Sequence, residues 1–423
     1  MIDQPGVGAA LRVVIDGRLV SGQSGGVEAV IAGLASGLSK LQGSEEYIFA
    51  VGRGHEAWLA PYVSGPARIE AMEFDPPNSR SPTVRLLERF GRAGRQLAAK
   101  TYLEYLDAAV PAFDPQIERL NPSLVHMLRQ RGFLTSARSI YHPHDLQHVH
   151  LPEFFSDKER TWRERVYGAL CRQASMVAVA SEWTRGDVVH HFGLADDKVR
   201  VVRLAPPLGA ARAPSAAEQR DARSRYALPD QYVLYPAQTW PHKNHIRLLQ
   251  ALAKLRDESG LIVPLVATGT TNAHFDEIAM MSARLGLEAQ VVWTGFVPAI
   301  DLRAIYLGAR AVVIPSLFEA ASGPLWEAFL SDVPAACSNV TSLPDQAGDA
   351  AALFDPLDIE AMAGSIRVVW QDEAVRQGLV LAGRRRIENL SWQRTAETFR
   401  AHYRRIAGRP MSEEDLVLTG ATA

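Results

Sequence analysis

The stretch AVVIPSLFEAASGPLWEAFLSDVPAAC, Ala311–Cys337, holds one structural unit in miniature. Ala311–Ile314 is a β-branched apolar run and reads as a strand that ends at Pro315. A loop carrying Glu319 follows. Ser322 is placed as a helix N-cap, and Gly323-Pro324 opens a helix with Glu327 in its first turn. Val333–Cys337 is again a short apolar run. Strand, loop, helix and strand in so short a span is the repeat of a parallel sheet with crossover helices.

The same alternation extends outward. Tyr232–Tyr235, Leu261–Ala267 and Val291–Trp293 read as strands ahead of it. Nearer the start lie Leu11–Ile15, Tyr47–Val51, Leu124–Met127, Ser139–Tyr141, Met176–Ala180 and Val199–Leu204, with a helix over Val27–Leu41. Residues 205–230, rich in Ala, Pro and Arg, break the series and read as an interdomain connection. The pattern predicts an α/β protein of two doubly wound, Rossmann-like domains, 1–204 and 231–390, facing a cleft. Ligands of such sheets bind beyond the carboxyl ends of the strands. Residues 76–122 read as a helical insertion in the first domain, and 411–423 as a loose tail.

Composition removes several function classes. Lys and Arg total 45 against 47 Asp and Glu, a net charge of −2, which excludes a nucleic-acid-coating protein. Apolar residues at 47% and charged residues at 22% exclude wholesale disorder. Cys171 and Cys337 are the only cysteines, so there is no disulfide scaffold, and a reducing compartment fits. The start, MIDQPGVGAALRVVIDGR, lacks the basic and apolar regions of a signal peptide. No uncharged apolar run reaches the ~18 residues of a membrane span, so a cytoplasmic location is expected. Arg80, Arg85, Arg89, Arg92, Arg95 and Lys100 alternate with apolar residues in the insertion. That pattern reads as a solvated helix covering the sheet, or as a face for an anionic membrane.

Four motifs carry chemistry. Glu319 and Glu327, eight positions apart, flank a helix start whose free N–H groups suit a phosphate. Carboxylates so placed can accept hydrogen bonds from hydroxyls on either side of that phosphate, as in a nucleotide-sugar. The blander reading has Glu327 serving its own helix dipole and Glu319 solvated. In YVLYPAQTWPHKNHIRLLQAL, Tyr232–Leu252, Lys243 stands at a loop-to-helix junction, where an ammonium can meet a diphosphate. In SIYHPHDLQHVHLPEFFS, Ser139–Ser156, His142, His144, Asp145, His148 and His150 crowd together, but their spacing matches no common zinc pattern. In SGQSGG, Ser21–Gly26, Gly25 and Gly26 between strand and helix allow close backbone approach to a phosphate.

The segment Ala311–Pro356 resembles the E-x7-E region of retaining glycosyltransferases of the GT-B fold, family four. The resemblance implies that Glu319 contacts the donor sugar and Glu327 the nucleotide ribose, with Ser322, Gly323, Pro324 and Leu325 forming the phosphate-facing helix start. It implies that Lys243 neutralises the leaving group. Many members carry an arginine five residues before that lysine, and here Gln238 stands in its place. The HDLQH segment resembles the loop facing the donor sugar, which places His144 at the active site with Asp145 orienting it or its loop. His148 and His150 are then structural or acceptor-facing. Gly25 and Gly26 would meet the diphosphate from the first domain, and Gly295 and Phe296 would line the base pocket. SWQRTAETFRAHYRRI, Ser391–Ile406, resembles the closing helix, residues 391–410, that crosses back to the first domain. Its Trp392, Ala396, Phe399 and Tyr403 share one stripe.

Together these imply metal-independent hexose transfer with retention of configuration, no cofactor being called for. No D-x-D occurs to hold a cation on the diphosphate. The nucleoside diphosphate leaves, an oxocarbenium-like centre forms, and the acceptor hydroxyl attacks the same face. Its proton passes to a departing phosphate oxygen, with His144 the one side chain of these motifs considered as base. The HDLQH and PHKNH variants resemble those of GDP-mannose-dependent mannosyltransferases. The implied acceptor is a glycan or lipid-linked glycan of a bacterial cell-surface polysaccharide. Two alternatives stand: a catalytically silent nucleotide-sugar-binding subunit, in view of Gln238 and of Ser-Gly-Pro in place of the usual FGLP, or a GT-B epimerase.

Overall fold

A computed structural model describes residues 10–22, 25–74 and 112–420. Most of the expected insertion, and with it the basic run Arg80–Lys100, lies outside the described residues. The chain forms two compact units, Met1–Leu204 with Trp392–Ala423, and Ala205–Ser391.

The first unit is built on seven strands: β1 Arg12–Asp16, β2 Glu46–Gly52, β3 Ala67–Met72, β4 Leu124–Met127, β5 Arg138–Tyr141, β6 Met176–Val179 and β7 Val199–Val201. All pairs are parallel, in the order β3-β2-β1-β4-β5-β6-β7. The order reverses between β1 and β4. Both are largely buried, which is why they read as mainly apolar runs, with Arg12 and Asp16 at the ends of β1 and His126 inside β4. β3 escaped the sequence reading. It is an edge strand, and its ARIEAM alternates charged and apolar residues.

The second unit has six parallel strands: β8 Val233–Pro236, β9 Leu265–Thr268, β10 Val291–Gly295, β11 Ala311–Ile314, β12 Ala335–Ser338 and β13 Ala351–Phe354. Their order is β10-β9-β8-β11-β12-β13, reversing between β8 and β11. The expected strand Leu261–Ala267 begins only after Pro264, which has no N–H for a ladder. β13 was missed because AALF is short and alanine-rich.

Residues 205–230 are more than a connection. They carry the helix Ala216–Arg225, started by a Ser215–Glu218 capping box, and Leu208, Tyr226 and Leu228 pack into the core of the second unit. Their Ala, Arg, Glu and Gln are strong helix formers. The expected loose tail likewise holds a helix, Glu413–Thr419, docked through buried Asp415 to Arg404 at 2.9 Å.

The closing helix, Trp392–Ala407, belongs to the first unit. Trp392, Ala396, Phe399 and Tyr403 are all buried, as their spacing predicts. It lies against the helix Gly26–Leu38 so closely that a Cβ on Gly33 would overlap the Trp392 indole. A Cβ on Gly37 would meet Ala396 Cβ at 2.8 Å. Cys171 and Cys337 are buried free thiols, each pushed up to about 12 by burial. Among the described residues, no helix is long and apolar enough to cross a membrane.

Candidate active site

The loops that leave β8 and β11 diverge from the point where the second sheet reverses its order, and such a point opens a crevice beyond the strand ends. After β8 the chain makes a short 3-10 turn, Pro241–Lys243. It passes through Asn244 at a left-handed φ of 60° and enters the helix His245–Ser259. Asparagine tolerates that conformation better than most residues. The Asn244 Nδ2 donates to the carbonyls of Pro315 and Pro356, both at 2.9 Å, so it ties three loops together. The Leu317 N–H donates to His242 O at 2.7 Å, and the Tyr235 hydroxyl donates to Lys243 O at 2.7 Å.

This bracing brings Lys243 and Glu319 into contact. Lys243 Nζ donates to Glu319 Oε1 at 2.6 Å, with side chains only 19% and 9% exposed. The Glu319 backbone is clamped in turn. Its N–H donates to Thr341 Oγ1, and its carbonyl accepts from the Thr341 and Ser342 hydroxyls, both at 2.7 Å. Sequence reasoning found the ion-pair partners but missed Asn244, Thr341 and Ser342. Of these, only Asn244 carried a local signal.

The helix Gly323–Leu330 follows, with Ser322 at its N-cap. Contrary to expectation, the Ser322 hydroxyl makes no capping bond; it is buried and unpartnered. The cap is braced by Gln346, whose amide accepts from Ser322 N–H at 2.8 Å and donates to Ser322 O at 2.6 Å. Pro324 has no N–H, so Gly323 and Leu325 supply the first amides of the helix. Leu325 sinks its side chain into the core and offers only its backbone. Gly323 packs tightly, since a Cβ there would lie 3.1 Å from Pro207 Cγ and that ring would have to shift by a few tenths of an ångström.

Glu327 is the fifth residue of this helix, so it sits in the second turn rather than the first. It is 6% exposed, and its Oε2 accepts from the Tyr306 hydroxyl at 2.7 Å. Burial pushes its carboxyl up to about 7, against the opposing pull of the Tyr306 hydroxyl and the Leu208 N–H. Gln238 uses its Oε1 to accept from Trp240 Nε1 at 2.7 Å. Gly295 adopts a φ of 68° and accepts from Gly269 N–H through its carbonyl, while the Phe296 ring is 59% exposed beside it.

In the first unit, Gly25 takes a φ of 55° at the start of the helix Gly26–Leu38, a geometry suited to glycine. Glu28 reaches back over this loop and accepts from Ser21 Oγ and Gly22 N–H at 2.6 and 2.8 Å. That carboxylate engages the Gly22 amide of the loop, and not those of Gly25 and Gly26, which were expected to face phosphate.

His144 has a left-handed φ of 64°, and its Nε2 lies 2.7 Å from Leu128 O. Burial lowers its pKa. Asp145 does not bond the His144 ring. Its carboxylate accepts from Gln147 N–H and Gln130 Nε2, both at 3.1 Å, and so orders the loop. His148 bonds Glu164 at 3.1 Å and His150 bonds Asp187 at 2.8 Å. Among the described residues, no three His, Cys, Asp or Glu side chains gather into a group able to hold a metal ion.

Comparison with known proteins accords with this architecture. Residues 218–386 match the family model "Glycosyl transferases group 1", and residues 24–205 match "Glycosyltransferase Family 4". The chain is 30% identical over 262 residues to O-antigen chain mannosyltransferase B of Escherichia coli, covering 61% of this chain and 68% of that protein. It is 28% identical over 229 residues to the serotype-specific mannosyltransferase WbdA of Escherichia coli, covering 53% of this chain and 28% of that longer protein. Among solved structures, Anabaena Alr3699/HepE in complex with UDP and glucose superposes with a TM-score of 0.66 at 17% identity. That match covers 93% of this chain and 99% of that one. WaaG, a glycosyltransferase involved in lipopolysaccharide biosynthesis, gives 0.63 at 13%, covering 94% and 100%. The chain therefore belongs to glycosyltransferase family 4, with the GT-B fold, and is a nucleotide-sugar-dependent enzyme that transfers a sugar to an acceptor.

Proposed function

We propose that this enzyme moves mannose from GDP-mannose to a glycan or lipid-linked glycan, with retention of configuration and without a metal ion. The observation that carries the reading is the Lys243–Glu319 contact at the switch point of the second sheet. An ammonium and a carboxylate held side by side suit the two ends of one bond: the diphosphate that leaves and the sugar that stays. In this reading Lys243 neutralises the departing phosphate, and Glu319 accepts from sugar hydroxyls and favours positive charge at the anomeric carbon. The first-turn amides of Gly323 and Leu325 meet phosphate oxygens, with Ser322 and Pro324 shaping that turn. Glu327 takes the ribose hydroxyls. Gly295 and Phe296 flank the base. Gly25 and Gly26 are assigned to phosphate, and His144, on a loop ordered by Asp145, to the sugar. Relatives named as mannosyltransferases support the donor sugar.

A panel of nucleotide-sugars, each assayed with and without EDTA, tests the donor and the metal independence together. Turnover with GDP-mannose, undiminished by chelator, is the expected result; turnover with UDP-sugars alone rejects the donor. Lys243→Met and Glu319→Gln are expected to lower kcat by about 10²–10³-fold, and wild-type rates in both reject the site.

Gln238 favours a second reading, a subunit that binds without turnover. It is neutral where the family resemblance implies a cation, and its Oε1 is engaged by Trp240. GDP binding with no transfer to any acceptor would support that reading. The expected setting is the cytoplasm, and the basic run in the 76–122 segment offers a second, peripheral reading as a face for anionic lipid. Co-sedimentation with phosphatidylglycerol vesicles checks it.

A further inference from the structure

A chain of three buried side chains runs through the first unit and ends beside His144. The Tyr403 hydroxyl lies 2.6 Å from His126 Nδ1, and His126 Nε2 lies 2.8 Å from His142 Nε2. Tyr403 and His126 are fully buried and His142 is 4% exposed. The rings of His142 and His144 are 5.7 Å apart. Burial holds both His126 and His142 far below the ordinary histidine pKa, so each ring is neutral and carries one N–H.

Two neutral imidazoles meeting Nε2 to Nε2 must share one proton, and only two arrangements allow it. In one, His142 donates to His126, and His126 donates from Nδ1 to the Tyr403 oxygen. The phenolic O–H then has no acceptor among the described residues, inside a fully buried site. In the other, Tyr403 donates to His126 Nδ1, and His126 donates from Nε2 to His142 Nε2. Every buried proton then has an acceptor, and a buried orphan donor is what folded proteins avoid. This arrangement leaves His142 with its proton on Nδ1. That nitrogen has no partner among the described residues, on a side chain that is 4% exposed. His144 has the opposite polarity. A carbonyl can only accept, so its Nε2 bears the proton toward Leu128 O and its Nδ1 is bare.

We infer that Tyr403 and His126 are positioning residues that lock His142 as an Nδ1–H donor, so that His142 and His144 read a sugar through one donor and one acceptor. This rests on the reading of the protein as a mannosyltransferase and extends it to residues with no assigned role. A ring hydroxyl both gives and takes hydrogen bonds. A fixed donor beside a fixed acceptor selects the orientation of two such hydroxyls, where two freely exchanging imidazoles would not. His142 is thereby a specificity-determining residue, and the closing helix contributes to the site through Tyr403.

The test is nitrogen NMR on the full chain with 15N-labelled histidine, in which protonated and bare ring nitrogens are resolved. The wild type is expected to show His142 protonated at Nδ1 and His126 at Nε2; a proton on His142 Nε2 overturns the inference. Saturating GDP-mannose should move the Nδ1 signals of both His142 and His144, and GDP alone should move neither. Binding of GDP-mannose with both signals unmoved overturns the reading role. A failure of GDP-mannose to bind at all is a different result: it defeats the proposed donor, and the tautomers of the free protein remain readable. Tyr403→Phe should mix the His142 tautomers and lower kcat/KM about tenfold, carried by KM. His142→Asn, whose amide nitrogen overlays Nδ1, should keep most activity, while His142→Gln should not. Equal loss in both, with a single His142 tautomer in Tyr403→Phe, counts against the lock.

Discussion

At the scale of single residues, Glu327 makes the site sensitive to pH. Its carboxyl titrates at about 4.5 when solvated and at about 7 in the fold, because burial disfavours its charge. The unfolded chain therefore sheds this proton first as pH rises. The contribution to stability is whole below pH 4.5 and is lost by the time pH passes 7, a change of about 3 kcal/mol. Ligand binding runs the other way. In the ribose contact proposed for Glu327, hydroxyls donate better to an ionised carboxylate, so GDP affinity should rise about tenfold from pH 6 to pH 8, in step with the ionised fraction. Calorimetric titration with GDP across that range measures it. Glu327→Gln should flatten both profiles and raise Tm at pH 8; an unchanged pH dependence of binding removes Glu327 from the ribose contact.

At the scale of elements, Asn244 joins the turn after β8 to the loops after β11 and β13. Asn244→Ala loses two carbonyl partners and must also hold a left-handed φ with a Cβ that disfavours it, for a combined cost of about 2–4 kcal/mol. Asn244→Gly keeps the backbone freedom and loses only the bonds. Urea denaturation should thus rank wild type above Gly and Gly above Ala, and equal stability of all three would deny Asn244 its bracing role. Thr341→Val should lower kcat more than it raises KM, because it frees the Glu319 backbone without touching Lys243.

These elements also show where sequence reading reached and where it stopped. Glu319 and Lys243 were legible because a carboxylate at a strand end and a lysine before a helix are local signals. The clamp by Thr341 and Ser342, the Gln346 brace at Ser322 and the Tyr306 bond to Glu327 join residues more than 20 positions apart. No periodicity records such pairs. The helix Ala216–Arg225 was hidden for another reason: proline flanks and high charge looked like a linker, although the interior residues favour a helix. His126 and Tyr403 stand 277 positions apart, and only the fold makes them neighbours.

At the scale of the whole molecule, the first unit is discontinuous and the second is one unbroken segment. A Cβ on Gly37 would overlap the backbone of the closing helix at Trp392 O, so Gly37→Leu has no room and should destabilise the first unit by at least about 2 kcal/mol. Limited proteolysis should then release residues 205–391 intact, and uniform resistance of the variant would count against that close packing. The interrupted layout bears on biosynthesis. A ribosome delivers residues up to Leu204 long before Trp392 emerges, so the apolar groove around Gly33 and Gly37 stays bare while the whole second unit is being made. The nascent chain thus carries an unfinished, sticky half for the length of nearly two hundred codons, a window in which holdase chaperones have something to grip.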